Sequence, residues 1–415
     1  MKSSPARSHV IWALVVANCI AAAAVFWLGE RGQPNPAGVA RIAPVNFADL
    51  PGWKTAELRT ALASFGRSCD ILTKIPKDHP LWGEGYAGLA GDWDAACGAI
   101  PRGASGDAEA RAYFERWFTP LEVKSGSPAL FTGYYEPLLA GSRTKSARFN
   151  VPIYGRPTDL ISADLSLFRR LPAGLHIYGR VSGTQLVPYA TRADIDKSGL
   201  NQAPVLLYAD DPVAAFFLNI QGSGRVRFED GSVSRLSFAA TNGRRYTSIG
   251  RVLIARGALE RKSVSLQTIR DWLKAHPAEA RSVMEEDQSF VFFALAPLGD
   301  PSLGSPGTEG VPLAAEVSVA IDSRVHPLGI PVFVSTTIPW SGPAMPGRTF
   351  NKLLIAQDTG GDIRGPTRGD IFFGAGSEAE AIAGRLKSHG RFFVLVPKPV
   401  AAALGSGKEI SVEEP

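Results

Sequence analysis

The chain has 415 residues, 45% of them hydrophobic and 20% charged, with a formal net charge of +5. That is enough for two to three packed domains and shows no disorder-like bias. No Lys/Arg block occurs, which argues against a dedicated nucleic-acid surface, and three cysteines with six scattered histidines lack metal-ligand spacing.

The first thirty residues carry their own signal. Residues 10–28 are almost continuously apolar, interrupted strongly only by Asn18, and Lys2 and Arg7 precede them. About 20 apolar residues span a bilayer as a helix, and the basic flank places residues 1–9 in the cytoplasm and the body outside it. A cleaved signal peptide ending at the alanines 21–24 competes with this reading. Because Val25-Phe-Trp-Leu28 extends the apolar run past them, a retained inner-membrane anchor over 10–29 is favoured. Either way the body is exported. Cys19 suits lipidation poorly, since Asn18 precedes it and apolar residues follow. Cys69 and Cys97 are either a disulfide, which an exported compartment permits, or two buried thiols.

Residues 30–45 read as a Gly/Pro-rich linker and 47–118 mostly as helices, with Trp53, Leu58, Leu62 and Phe65 near helical spacing. From residue 129 short β-branched and aromatic runs alternate with Gly/Pro turns, in keeping with 43 glycines and 31 prolines. Strands are expected at 129–135, 151–154, 175–179, 204–208, 214–221, 224–228 and 234–238, with Glu229-Asp-Gly231 turning a hairpin. Helices return over 248–286, and 301–310 reads as a Gly/Pro/Ser loop. Strands follow at 316–321, 331–335, 353–357, 370–373 and 392–396, with a short helix at 378–387 and a polar tail from 397.

Three clusters carry chemistry. The densest runs from Ile355 to Gly376 and holds Asp358, Asp362 and Asp370 among glycines that include Gly361. Glycines let a backbone approach a ligand closely. Asp370 opens the apolar strand Ile371-Phe-Phe373, where desolvation raises a carboxyl pKa, as a general acid for glycosidic cleavage requires. Taken alone, the cluster reads more readily as a calcium or hairpin loop in which the aspartates cap turns. The second is Phe131-Thr-Gly-Tyr-Tyr-Glu-Pro. Tyr134 and Tyr135 point to opposite strand faces, one packing inward and the other available to stack on a sugar, with Glu136 beside them. The third, Ile220-Gln-Gly-Ser-Gly-Arg225, offers Gln221, Gly222 and Ser223 to sugar hydroxyls and acetamides. No G-x-S-x-G occurs, and His176 and His326 read as surface or core residues rather than as members of a Ser-His-Asp triad.

Together these segments resemble the membrane-bound lytic transglycosylase A family over roughly residues 129–397. The matching stretches are Thr132-Gly-Tyr-Tyr-x-Pro, Tyr154-Gly-Arg-Pro, Pro188-Tyr-x-Thr-Arg, Ile220-Gln-Gly-Ser-Gly, Asn242-Gly-Arg-x-Tyr-x-Ser-Ile-Gly, Gln288-Ser-Phe-Val-Phe-Phe and Asp358-x-Gly-Gly-x-Ile-x-Gly with Asp370 beyond it. Seven matches in order are far more specific than any one.

The resemblance implies a mostly β (α+β) fold, a double-psi β-barrel with a smaller inserted β domain and N-terminal helices. The expected division is 46–150 helical region and first barrel part, 151–245 insert, 246–400 barrel remainder with the catalytic loop, and 401–415 tail. It implies a peptidoglycan lytic exotransglycosylase, or its endolytic counterpart, working without cofactor or metal. Asp370 is the implied catalytic acid and base. Asp358, Tyr134, Tyr135, Glu136, Gln221, Gly222, Ser223 and Gly361 are the expected substrate contacts. The expected partners are glycan strands, the inner membrane through the N-terminal segment, and cell-wall synthesis or division proteins, at a periplasmic location. Asp362 stands where a small residue is expected, close enough in sequence to raise the Asp370 pKa by like charge or else to face solvent. A muramidase-type hydrolase with a second carboxylate and a non-catalytic glycan-binding envelope protein are the alternatives.

Overall fold

Short apolar runs punctuated by glycine and proline fold most of this chain as strands. The computed structural model describes residues 40–410 except 82, 102, 104–105, 168–175 and 341–346; the expected anchor over 10–29 lies outside them. Among the described residues no helix is long and apolar enough to cross a membrane.

Strand β1 (Ala40–Pro44) lies within the segment expected as linker and pairs antiparallel with β2 (Phe118–Lys124). Between them run α1 (Arg59–Leu72), α2 (Asp94–Gly98) and α3 (Asp107–Trp117). Leu62, Phe65, Cys69 and Leu72 of α1 are buried at helical spacing, and a Cys69–Cys97 disulfide ties α1 to α2. Next comes β3 (Ala129–Glu136).

The second domain follows. Its elements are β4 (Leu138–Ser142), β5 (Val151–Tyr154), β6 (Ile161–Asp164), β7 (His176–Ser182), β8 (Gln185–Val187), α4 (Arg192–Ser198), β9 (Val205–Ala209), α5 (Pro212–Gln221), β10 (Gly224–Phe228), β11 (Val233–Thr241), α6 (Ile249–Ala255), α7 (Leu266–Ala275), α8 (Pro277–Glu285) and β12 (Val291–Pro297). Its main sheet has the order β12-β11-β10-β4-β9-β5, so pairing extends it beyond the expected 151–245 at both ends. The hairpin expected at Gly231 joins β10 to β11. Residues 214–221, strand-like in sequence, are helix α5 instead. The Asp211 carboxylate accepts from the N–H groups of Val213 and Ala214 at 2.8 and 3.2 Å, Pro212 fits the first turn, and Gly222 closes the helix at φ 76°. An unbroken apolar run has no readable period, so these caps decide its conformation.

The chain then returns through β13 (Leu303–Pro306), β14 (Pro312–Ala314), β15 (Ser318–Ile321), β16 (Pro331–Ile338), β17 (Arg348–Thr359), β18 (Arg368–Ala375), α9 (Ser377–Ala383), β19 (Lys387–Pro397), α10 (Lys398–Leu404) and β20 (Lys408–Ile410). The expected loop at 301–310 contains half of the β13–β14 hairpin, and the expected tail contains β20, paired with β1. Strands β16-β17-β15-β18-β3-β19 close into a ring through β16–β19 pairing, with β2, β1 and β20 continuing from β19. Closure leaves the ring without a free edge. Phe131, Val319, Ile321, Leu354, Ala356, Ile371 and Phe373 are buried on its inner face. This is the barrel with an inserted β domain that the resemblance implied.

Candidate active site

Strand register assembles the site. Asp358 on β17 is opposite Ala320 on β15, Ala320 is opposite Asp370 on β18, and Asp370 is opposite Thr132 on β3. Directly paired residues share a sheet face, so one row across four strands presents two carboxyls and a hydroxyl on the outer side of the barrel. Neighbouring strands lie ~4.8 Å apart, which puts the Asp358 and Asp370 Cα atoms roughly 10 Å from one another. Alternation keeps Gly369, Ile371 and Phe373 inside and Asp370 and Phe372 outside. Phe372, Tyr134, Leu313, Ala320 and Ile363 form a small apolar cluster beneath the acids, apart from the barrel core.

Asp370 is half-buried. Burial pushes its carboxyl up, opposed by the Arg368 guanidinium and a hydrogen bond from Thr132, and reinforced by the charges of Asp358 and Asp362. Thr132 O–H donates to Asp370 Oδ1 at 2.5 Å, while Arg368 Nη2 donates to Thr132 Oγ1 at 2.7 Å. Burial thus favours the protonated form of Asp370, while the Thr132 hydroxyl and the Arg368 guanidinium favour its carboxylate.

Asp358 has a different environment. Its Oδ1 accepts from Thr308 N–H at 3.0 Å, Thr308 O–H at 2.9 Å and Thr359 N–H at 2.9 Å, and its Oδ2 accepts from Tyr134 O–H at 2.9 Å. Burial raises this carboxyl too, against all four donors. Thr308 reaches it because Gly304 and Gly307 let the β13–β14 hairpin lie close: a Cβ on Gly304 would sit 2.5 Å from the Phe372 ring, and one on Gly307 2.4 Å from the Gln357 carbonyl oxygen. The loop between β17 and β18 is pinned from below. Asp322 accepts from Gly365 N–H at 2.7 Å, and His326 Nε2 lies 2.7 Å from the Pro366 carbonyl oxygen. A carbonyl only accepts, so Nε2 carries the proton and Nδ1 accepts from Tyr86 O–H at 2.7 Å. This fully buried His326 is a core residue.

Of the sequence-predicted residues, Asp370 and Asp358 lie in this row, Tyr134 reaches Asp358 from beside it, and Gly361 stands exposed in the adjoining loop, with open space where a Cβ would project. The tyrosines do take opposite faces, yet neither is an open stacking platform. Tyr135 is 1% exposed in the barrel core, and Tyr134, 8% exposed, packs on Phe372 at 5.2 Å. Glu136 is corrected outright as a substrate contact. It is fully buried; Arg225 Nε donates to Oε2 at 2.9 Å, and Ser305 donates to Oε1 through N–H and O–H at 2.7 and 2.8 Å. It joins β3 to β10 and β13. Gln221 Oε1 accepts from Tyr135 N–H at 3.0 Å, so Gln221, Gly222 and the buried Ser223 sit where α5 ends against β3. Thr132, Thr308 and Arg368 were missed as site residues. Thr132 carried one signal, its i−2 spacing from Tyr134 on the same strand face.

Comparison with known proteins agrees with this architecture. Residues 130–294 match the MltA specific insert domain and 317–396 match the 3D domain. Membrane-bound lytic murein transglycosylase A of Escherichia coli K12 is 34% identical over 281 residues, 67% of this chain and 68% of the relative. The Vibrio cholerae protein of that name is 33% identical over 64% of this chain and 65% of its own length. Among solved structures, a membrane-bound lytic murein transglycosylase from Agrobacterium tumefaciens superposes with TM-score 0.74 at 32% identity, covering 87% of this chain and 99% of that one. Escherichia coli MltA with bound chitohexaose gives TM-score 0.62 at 27% identity, covering 86% and 94%. Fold and relatives define a lytic transglycosylase acting on peptidoglycan. The chain belongs to the MltA family of membrane-bound lytic murein transglycosylases.

Proposed function

We propose that Asp370 is the single general acid and base of a reaction that cleaves the β-1,4 bond between N-acetylmuramic acid and N-acetylglucosamine. Protonated Asp370 gives its proton to the glycosidic oxygen as the C1–O bond breaks. The carboxylate left behind, steadied by Thr132 and Arg368, takes the proton of the muramoyl C6 hydroxyl, whose oxygen bonds to C1. The proton count balances, the acid is regenerated, and the product end is a 1,6-anhydro sugar. Asp358, Tyr134, Gln221, Gly222, Ser223 and Gly361 are the proposed surroundings of the bound strand, Asp358 acting through the hydroxyl row it anchors.

The observation that carries this reading is that the buried carboxylates Asp358 and Glu136 are both held by hydrogen bonds, while the exposed Asp362 faces a cation. A two-carboxylate hydrolase needs a second acid roughly 5 to 9 Å from the first, free to act as nucleophile or base. Asp358 accepts four hydrogen bonds, Glu136 is buried under Arg225, and Asp362 is mostly exposed and faces Arg251. The apolar run over 10–28 and its basic flank support placement in the periplasm, attached to the inner membrane.

Digestion of purified sacculi by the full chain in detergent tests this. Wild type should release muropeptides lighter by one water than hydrolytic products, and Asp370→Asn should lose at least ~100-fold in rate while still binding chitohexaose. Hydrated reducing ends, or an active Asp370→Asn, would overturn it.

A further inference from the structure

Asp362 stands in the loop between β17 and β18 with 63% of its side chain exposed, and faces Arg251 of α6, itself 72% exposed, at 3.7 Å. The pair links the barrel loop to the second domain. At that separation the guanidinium donors are not committed to a hydrogen bond with Asp362. The base of Arg251 is nevertheless firm, because α6 packs through Ile249 and Leu253 against Leu273 and Val283 of the two following helices. Half-buried Tyr246 lies alongside. Burial, then Asp287 and Asp362, pushes its hydroxyl up to about 12, so it remains a neutral donor. The charge of Asp362 also reaches Asp370.

Asp362 offsets the charge of Arg251 in the free enzyme. Along a peptide-bearing glycan strand the sugars are uncharged and the muramoyl lactyl carboxyl is tied up as an amide. The anions on such a strand are the carboxylates of its stem peptide, and a guanidinium fork with free N–H groups matches a carboxylate.

Resting on the reading of this chain as a peptidoglycan transglycosylase, we propose that Arg251, with Tyr246 beside it, is a subsite for a stem-peptide carboxylate, and that Asp362 is the resident anion exchanged for substrate. The enzyme is then selective for charged strands.

The test uses the full-length enzyme on soluble glycan strands with native stem peptides and on the same strands with their carboxyls capped as carboxamides. For wild type, the ratio of kcat/KM on native to capped strands should be about ten or more. Arg251→Gln should lower that ratio about tenfold, equivalent to ~1.4 kcal/mol, mainly through KM, and Arg251→Lys should restore part of it. Asp362→Asn should raise the ratio, and the double variant should behave like Arg251→Gln. An unchanged ratio in Arg251→Gln overturns the proposal, as does an equal fall on both substrates, the mark of a purely structural link between domains. Wild type that releases no anhydro ends from either substrate would instead remove the transglycosylase reading beneath it.

Discussion

Glu309 follows Thr308 in the β13–β14 turn, behind the active site. Ser68 O–H donates to its Oε2 at 2.7 Å, its own N–H donates to the Gln357 carbonyl at 3.1 Å, and its buried Oε1 has no hydrogen-bond partner. Burial pushes the carboxyl up from 4.5 to about 7, opposed by Ser68 and then by Arg67. At ~1.36 kcal/mol per pH unit that rise corresponds to ~3.4 kcal/mol, and residual solvent access reduces it to roughly 2–3 kcal/mol. Between the unfolded and folded pKa values the folded chain binds more protons, so this contribution is fully present below pH 4.5 and lost as pH rises through about 7. His326 has the opposite slope over nearly the same window. Burial pushes it down from 6.5 to about 4, so its contribution is present above 6.5 and lost as pH falls. The two mask one another in the wild type, and the informative quantity is a difference. Glu309→Gln keeps the shape of the neutral acid and cannot ionise. Urea unfolding at pH 4.5, 6 and 8 should show the variant near wild type at the lowest pH and ~2–3 kcal/mol more stable at pH 8. A stability difference independent of pH would refute the reasoning.

Two further substitutions probe the site directly. Thr132→Val removes the hydroxyl that favours the Asp370 carboxylate; at ~1.5–3 kcal/mol for a charge-assisted bond, halved for a half-buried group, the pKa should rise by about one unit. The alkaline limb of kcat/KM against pH, where the general acid loses its proton, should therefore move upward by that amount in a muropeptide-release assay; a limb that stays or moves down counts against the assignment. Gly307→Ala brings a Cβ within 2.4 Å of the Gln357 carbonyl, so the hairpin must lift and carry Thr308 from Asp358. A fall of ~10-fold or more in kcat/KM, for ~1.4 kcal/mol of lost positioning, is expected, with far-UV circular dichroism unchanged.

The sequence by itself determined the inventory. Ile355-Ala-Gln-Asp-Thr-Gly-Gly-Asp, followed by Asp370 at the head of an apolar strand, marked the acids because strand ends, glycines and carboxyls are local features. Period-two alternation likewise put Tyr134 and Tyr135 on opposite faces. Where locality failed, so did the reading: the uniformly apolar 214–221 concealed a helix, and Glu136, polar beside two tyrosines, gave no hint of Arg225 or Ser305. Only the tertiary structure decided which groups meet. Thr132 and Asp370 are 238 residues apart in the chain, and they touch because β3 and β18 pair in one particular register. A slip of a single residue would turn one of them to the other face of the sheet. That register, fixed by barrel closure and the buried face behind it, sets which carboxyl stands beside Thr132 and Arg368 and which is tied down by four donors.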